Sequence, residues 1–456
     1  MSEAVLLRSL LGLFVTVAIG YFFTALLWPR GIDSSLPFAI APAIGAGLSS
    51  LIFFLFRRPM FTVEAALAVS LGAAWLYRRL VSNPIKSGQT WNTSFLAFFL
   101  AAVVGIVFAG LTVRVNRMPH GYWDALAVWN SHARYLFRDG ASWQEHIRNT
   151  FHPGYGLLVP SMTARLWRYA GEEFPDAGGL VGILLTLTGV AILITTLWEL
   201  RDYRLAVIVG LILLTTSSYL EVGAAQYADV PLAVYFLSTV ALLYFHFEKA
   251  PDRTTLLLLA GLTAGCAGWT KNEGILFLFV ITLLILGTWM MRRLSLRALA
   301  MFLTGMALPL MVILFHKFVI TVESDAIFLS GDVIARIKNP NRHVMILQSM
   351  WSAFWSFGAW VINPVIPLFL LVLLRGIDRR ILHHFGWLVG LSAILLSLAG
   401  YYATYVISPY DLRWHLNSSL GRLLLQLWPS VLLLVGLAAR SLASEVLPLK
   451  KHATGD

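Results

Sequence analysis

Apolar residues in this chain form long unbroken runs. They occupy roughly 5–28, 36–56, 60–79 and 94–115, and after a polar interval they resume near 178–198, 204–222, 228–247, 255–270, 273–291, 296–320, 357–375, 383–407 and 423–442. One bilayer crossing takes ~20 apolar residues, and a helix is the single segment that satisfies its own backbone there. The pattern predicts an all-α polytopic membrane protein with about thirteen transmembrane helices. The stretch 153–170 is also apolar, but Pro153, Pro160, Arg165 and Arg168 interrupt it. It is expected to lie along the membrane surface, and that choice sets the side of every later loop.

With that parity, the basic segments Arg201 to Arg204, Lys249 to Arg253, Arg292 to Arg297, Arg375 to Arg380 and the tail bearing Lys450 and Lys451 share one side. The positive-inside rule makes it the cytoplasm. The intervals 116–177, 221–229, 270–274, 321–356 and 408–422 then lie outside, together with the N-terminus, Arg57 and Arg58. The first run ends Leu26, Leu27, Trp28, Pro29, with no small-residue cleavage site, so a retained helix is expected.

Composition agrees. Of 456 residues 58% are hydrophobic and 12% charged, half the charge of a soluble domain. The formal charge of +11 suits cytoplasmic loops and anionic lipid, and no nucleic-acid partner is expected. A single cysteine, Cys266, excludes an intrachain disulfide. Gly261 and Gly265 have the spacing that lets two membrane helices approach closely. Asn92 and Asn417 match a glycosylation pattern that arises easily by chance.

Four polar groups interrupt the apolar chain, all on the outer side. The first holds His120, Tyr122, Trp123, Asp124 and Trp129, followed by His152 and Tyr155. The second is Gln226, Tyr227, Asp229 and Pro231. The third is Trp269, Lys271, Asn272 and Glu273, between helices with almost no loop. The last is Tyr410, Arg413, Trp414, His415 and Arg422. A carboxylate among aromatic rings suits a general base at a carbohydrate site; alternatively Asp124 caps a helix in an interfacial aromatic belt. Asp229 can equally be an N-cap. Lys271 and Glu273 face a cavity, or simply pair with each other. Arg413, His415 and Arg422 on the side where cations are rare suit a phosphate, whether of a substrate or of lipid head groups.

These residues resemble the GT-C membrane glycosyltransferases, in the bacterial branch similar to protein O-mannosyltransferases and the lipid A aminoarabinose transferase. The resemblance covers about 94–442. It implies a multi-pass enzyme of the bacterial inner membrane with its active site on the periplasmic side and interfacial helices in the first large loop. Such enzymes take a sugar from a polyprenyl-phosphate donor, usually with inversion, and pass it to an envelope glycan, lipid or protein. By resemblance Asp124 is the catalytic base and Asp229 a second essential acid. Lys271, Arg413, His415 and Arg422 would meet the donor phosphate, and His120, Tyr122, Trp123, His152, Tyr155 and Glu273 the sugar or acceptor. The O-mannosyltransferases carry Asp-Glu where this chain has Asp124 and Ala125, which argues against a protein Ser or Thr acceptor.

On this reading residues 1–93 form an N-terminal transmembrane extension of about three helices, 94–442 the catalytic domain and 443–456 a cytoplasmic tail. No cofactor is certain, although Asp124, Asp229, Glu273 and nearby histidines could collect a divalent cation. The rival is a polytopic transporter or lipid flippase, whose buried charges would line a path across the bilayer.

Overall fold

The computed structural model describes residues 2–81, 95–138, 140, 142–321, 331–358 and 362–441. The expected tail 443–456, with Lys450 and Lys451, lies outside these, as do Asn92 and the boundary at 93–94. The described chain is all-helical, with one isolated antiparallel bridge between Ile377 and Ala439. In order the helices are α1 (Glu3–Leu27), α2 (Leu36–Leu55), α3 (Met60–Val81), α4 (Phe95–Arg117), α5 (Asn130–Arg138), α6 (Trp143–Arg148), α7 (Leu158–Ala170), α8 (Ala177–Leu200), α9 (Tyr203–Leu214) and α10 (Ser217–Ala224). They continue with α11 (Asp229–Lys249), α12 (Thr255–Thr270), α13 (Asn272–Met290), α14 (Leu296–Phe315), α15 (Val333–Lys338), α16 (Pro340–Trp355), α17 (Val365–Arg375), α18 (Arg379–Leu382), α19 (Phe385–Ile407) and α20 (Leu412–Ala438).

The protein is an all-α polytopic membrane protein. Among the described residues ten helices are long and apolar enough to cross a bilayer, and α9 with α10, bent by 62°, make an eleventh if taken as one broken span. The thirteen runs of the sequence are matched only if the 16-residue α12 and the 11-residue α17 are counted too. Both fall short of a full bilayer thickness at 1.5 Å per residue. Burial sorts the spans: α11 is 94% buried and central, whereas α3 and α4 are 11% buried and form the rim. Gly261 of α12 and Gly305 of α14 let those helices touch backbone to backbone. A Cβ on either would stand 2.0 Å from a carbonyl oxygen of the other helix.

Hydrogen bonds identify two ends of the bundle. At one, Ser34 and Ser35 hold Glu199 at 2.6 Å, Arg78 donates to carbonyls at the end of α1, Arg201 meets Asp378 at 3.7 Å, and Ser441 donates to Asp202. The basic loops Arg201 to Arg204 and Arg375 to Arg380 thus share an end. At the other, Arg8 donates to the Ala170 carbonyl, and Arg57 donates to that of Gly140 while lying 4.5 Å over the Trp143 ring. Arg57 therefore sits with the polar loops, as the parity requires, and this carbonyl and ring account for a cation on that side.

The segment 153–170 departs from expectation. Its helix, α7, begins only at Leu158 and is buried along nearly its whole length beneath α1, α2, α5 and α8. Arg165, whose charge suggested a surface position, is fully buried and ion-paired to Glu64 of α3. It also donates to Thr16 Oγ1 at 2.9 Å and the Gly12 carbonyl at 3.0 Å, and Tyr169 completes the network by donating to Glu64 at 2.6 Å. Full hydrogen bonding is what makes a buried pair tolerable. It also ties α1 and α3 to the loop region that follows α4.

Candidate active site

Asp124 stands just before a π-helical turn, Ala125–Trp129, that leads into α5. Such turns are uncommon and concentrate at functional sites. The Asp124 side chain does not cap the turn; its carboxylate pairs with Arg422 of α20, and its backbone N–H donates to the Tyr227 hydroxyl at 3.4 Å. Arg422 lies 3.6 Å from Asp229 Oδ2 and 5.2 Å from the Tyr227 ring centre.

Asp229 opens α11 but is not its N-cap: Ala228 holds that position, and no side chain caps the helix. The carboxylate is 0% exposed and turns inward. Its Oδ1 accepts from Lys271 Nζ at 2.9 Å and from Gln426 Nε2 at 2.6 Å, and Gln426 in turn accepts from the Tyr401 hydroxyl at 2.8 Å. Lys271, 5% exposed, also meets Glu273 at 2.9 Å and lies 5.8 Å over the Tyr155 ring. Burial alone would lower the lysine's pKa, but the charges of Asp229 and Glu273 outweigh it and leave the value raised. Lys271 is thus charged at neutral pH.

The result is an alternating chain of charge, Asp124, Arg422, Asp229, Lys271, Glu273, drawn from four segments far apart in sequence. Two carboxylate oxygens, Asp229 Oδ2 and Glu273 Oε2, are buried with no hydrogen bond among the described residues. Orphaned acceptors of this kind call for a donor, such as water or a ligand hydroxyl.

An aromatic wall stands beside the charges. Tyr155 stacks between His152, at 4.7 Å, and Trp129, at 5.5 Å. His316, in a second π-helical turn after α14, hydrogen-bonds the carbonyls of Pro153 and Tyr155 at 3.1 and 3.0 Å. Gly156 permits the loop to lie on the α12–α13 junction, since a Cβ there would meet the Trp269 carbonyl oxygen at 2.1 Å. His152 and Gln226 both adopt left-handed backbone, at φ 50° and 63°, which is unusual for residues other than glycine and common near functional sites.

Among the described residues, the other expected ones neither hydrogen-bond nor ion-pair with the charge chain, although His415 stands near enough to feel the charge of Glu273. The Tyr122 hydroxyl accepts from Arg114 at 2.8 Å. His120 is exposed, and its carbonyl accepts from Asn130. Trp123 is 72% exposed and points outward, as an interfacial anchor does. His415 hydrogen-bonds Ser408 at 2.8 Å amid Tyr405, Tyr410 and Trp414. Arg413 does not join Arg422. Nine residues make roughly two and a half turns, so the two occupy opposite faces of α20. Arg413 instead lines a separate cavity of about 450 Å³ with Asn341, Gln348, Ser349, Ser352 and Asn417. A single phosphate clamp from both arginines is therefore not what the fold builds.

Nor do the acids fit a divalent cation. Among the described residues no three His, Cys, Asp or Glu side chains gather as metal ligands would, and Lys271 and Arg422 stand between the carboxylates. The sequence reading missed Gln426 and Tyr401. Gln426 had a legible signal, since a glutamine four residues after Arg422 shares its helical face.

No protein-family model and no curated protein matches the chain. Among solved structures it is similar to ArnT from Cupriavidus metallidurans bound to undecaprenyl phosphate. The two align at a TM-score of 0.46 with 15% identity, over 75% of this chain and 59% of that one. This chain thus spans less than two thirds of that protein's length.

Proposed function

We propose that this protein is a membrane glycosyltransferase that moves a sugar from a polyprenyl-phosphate donor to an acceptor hydroxyl on the periplasmic side of the bacterial inner membrane. The observation that carries the reading is the alternating charge chain from Asp124 to Glu273 at one end of the bundle, beside the Tyr155 wall. It supplies each part the reaction needs: a carboxylate to take a proton, a forked cation to take a phosphate, and rings to stack on a sugar.

In this reading Arg422 parks Asp124 until a donor arrives. The donor phosphate competes for the same guanidinium, and its capture frees the Asp124 carboxylate to face the acceptor. Asp124 then accepts the hydroxyl proton, the acceptor oxygen bonds to the anomeric carbon from the opposite face, and the bond from that carbon to the phosphate oxygen breaks with inversion. Polyprenyl phosphate leaves with the electron pair, and Arg422 and Lys271 stabilise the charge gathering on it. Asp229, wholly buried, acts as a positioning residue that orients both cations. The acceptor is a glycan, a lipid or a protein of the envelope.

The test follows polyprenyl-phosphate release from a panel of lipid-linked sugars with envelope extract as acceptor. Wild type should release it in an acceptor-dependent way, and Asp124→Asn should lose about 100-fold or more, as for a missing general base. Release undiminished in Asp124→Asn would overturn the assignment of the base.

A further inference from the structure

At the end of the bundle opposite the charge chain, the N-terminal helices line a second, open cavity of about 420 Å³. It lies between the end of α1, the 28–37 turn and the last turns of α3. Tyr21, Phe38 and Trp75 form an aromatic wall, with Tyr21 stacked on Phe38 at 4.5 Å and edge-on to Trp75 at 6.0 Å. Three arginines line the same space, Arg30, Arg78 and Arg79. Arg78 is committed to the frame: it donates to the Ala25 and Trp28 carbonyls at 2.9 and 2.8 Å, closing the C-terminal end of α1 where carbonyls lack intrahelical partners. Arg79 lies 5.3 Å over the Trp75 ring and Arg30 is exposed. None of the three forms an ion pair with an acid among the described residues.

Trp28 also lines the cavity and is only 6% exposed. The indole packs against Phe245 at 5.2 Å, so Trp28 anchors the floor of the cavity to the bundle core. Glu199, held by Ser34 at 2.6 Å, stands at the rim without pairing to these arginines among the described residues. The clustered cations and the wall of rings together describe a site for a phosphate attached to something apolar.

We propose that this cavity binds the phosphate head group of an anionic membrane lipid, with Arg30 and Arg79 on the phosphate oxygens and the rings packed on the adjoining chain. The site is separate from the charge chain and independent of the transferase reading. It gives the N-terminal helices a binding role that the resemblance to glycosyltransferases does not cover.

The experiment uses the full-length protein in vesicles of phosphatidylcholine and phosphatidylglycerol, the latter supplying a negative surface, and reads the lipid retained on purification by native mass spectrometry. Wild type should keep one phosphatidylglycerol in preference to phosphatidylcholine. At about fivefold per arginine near the surface, the Arg30→Gln, Arg79→Gln double variant should bind about 25-fold more weakly. Thermal unfolding followed by size-exclusion should be unchanged in the double variant, which reports that it folds. Equal retention of both lipids by wild type, or unchanged retention in the double variant, would overturn the proposal. Displacement of the bound lipid by inorganic phosphate alone would keep the phosphate chemistry and overturn the lipid as its source.

Discussion

Removing the ammonium of Lys271 tests the charge chain most directly. In Lys271→Met the side chain keeps its length and apolar stem while two carboxylates lose a partner at 2.9 Å each. Asp229 is 0% exposed and cannot turn to water. Breaking one side of a buried pair costs about 3–5 kcal/mol. Here Gln426 still donates to Asp229 at 2.6 Å and Arg422 stands 3.6 Å away, so the cost should fall near the lower bound, about 3 kcal/mol. The partner change Asp229→Asn removes the stranded charge, and the Lys271→Met, Asp229→Asn double variant should regain about half or more of the loss, because a neutral amide costs less to bury. Detergent-solubilised protein followed by thermal unfolding with size-exclusion detection gives the ranking: wild type, then the double variant, then Lys271→Met. Polyprenyl-phosphate release should not recover in the double variant, since the cation that stabilises the leaving phosphate is absent from both. A Lys271→Met protein as stable as wild type, or a double variant no better than the single, would refute the argument that the lysine holds the acids in place.

Other outcomes are checked by the same two assays. Arg413→Ala should change release by less than about twofold, because Arg413 faces the cavity on the far side of α20; a large loss would restore it to the donor site. Gly156→Ala drives a Cβ to 2.1 Å from the Trp269 carbonyl, and at about 1–3 kcal/mol or more for overpacking it should lower the melting temperature and cut release together, whereas unaltered release would show that the 152–155 loop is not seated as described. His132, fully buried and hydrogen-bonded to Thr150 at 2.7 Å, has its pKa brought down to about 3, chiefly by burial and further by the nearby His316. An unfolded histidine titrates near ~6.5, so from about pH 6.5 down to pH 3 the unfolded chain takes up a proton that the native chain refuses. Stability should therefore fall on acidification through that window, by up to ~1.4 kcal/mol per pH unit, and His132→Phe should flatten the slope; parallel wild-type and variant curves would count against it.

Much of the architecture was legible because a bilayer imposes one rule on every crossing, and runs such as 228–247 and 383–407 obey it plainly. The two-ended arrangement was legible too, since loop charge and run parity carry it. Arg165 misled for a physical reason: a charged residue reads as solvent-facing unless its partner is known, and Glu64 lies about a hundred residues earlier in another helix. Asp229 read equally well as a helix cap or a site acid, and only the positions of Lys271 and Gln426 distinguish the two. Arg413 and Arg422 looked like one cluster because they are neighbours in sequence, while helical phase puts them back to back.

The break between α9 and α10 bears on how the chain is made. Where the helix bends, the Ser218 N–H is satisfied by the Gly358 carbonyl at 3.0 Å, and Thr216 accepts from the Trp428 indole at 3.1 Å. Both partners emerge from the ribosome well over a hundred residues later. Thr216 already donates to the Ile212 carbonyl at 2.8 Å within the same segment, but until Gly358 arrives the Ser218 N–H lacks its partner, and lipid cannot supply one. Arg422 belongs to the same late helix as Trp428. The reaction centre and the Trp428 contact at the kink are therefore completed together when α20 docks, and a nascent chain stalled before α20 holds neither.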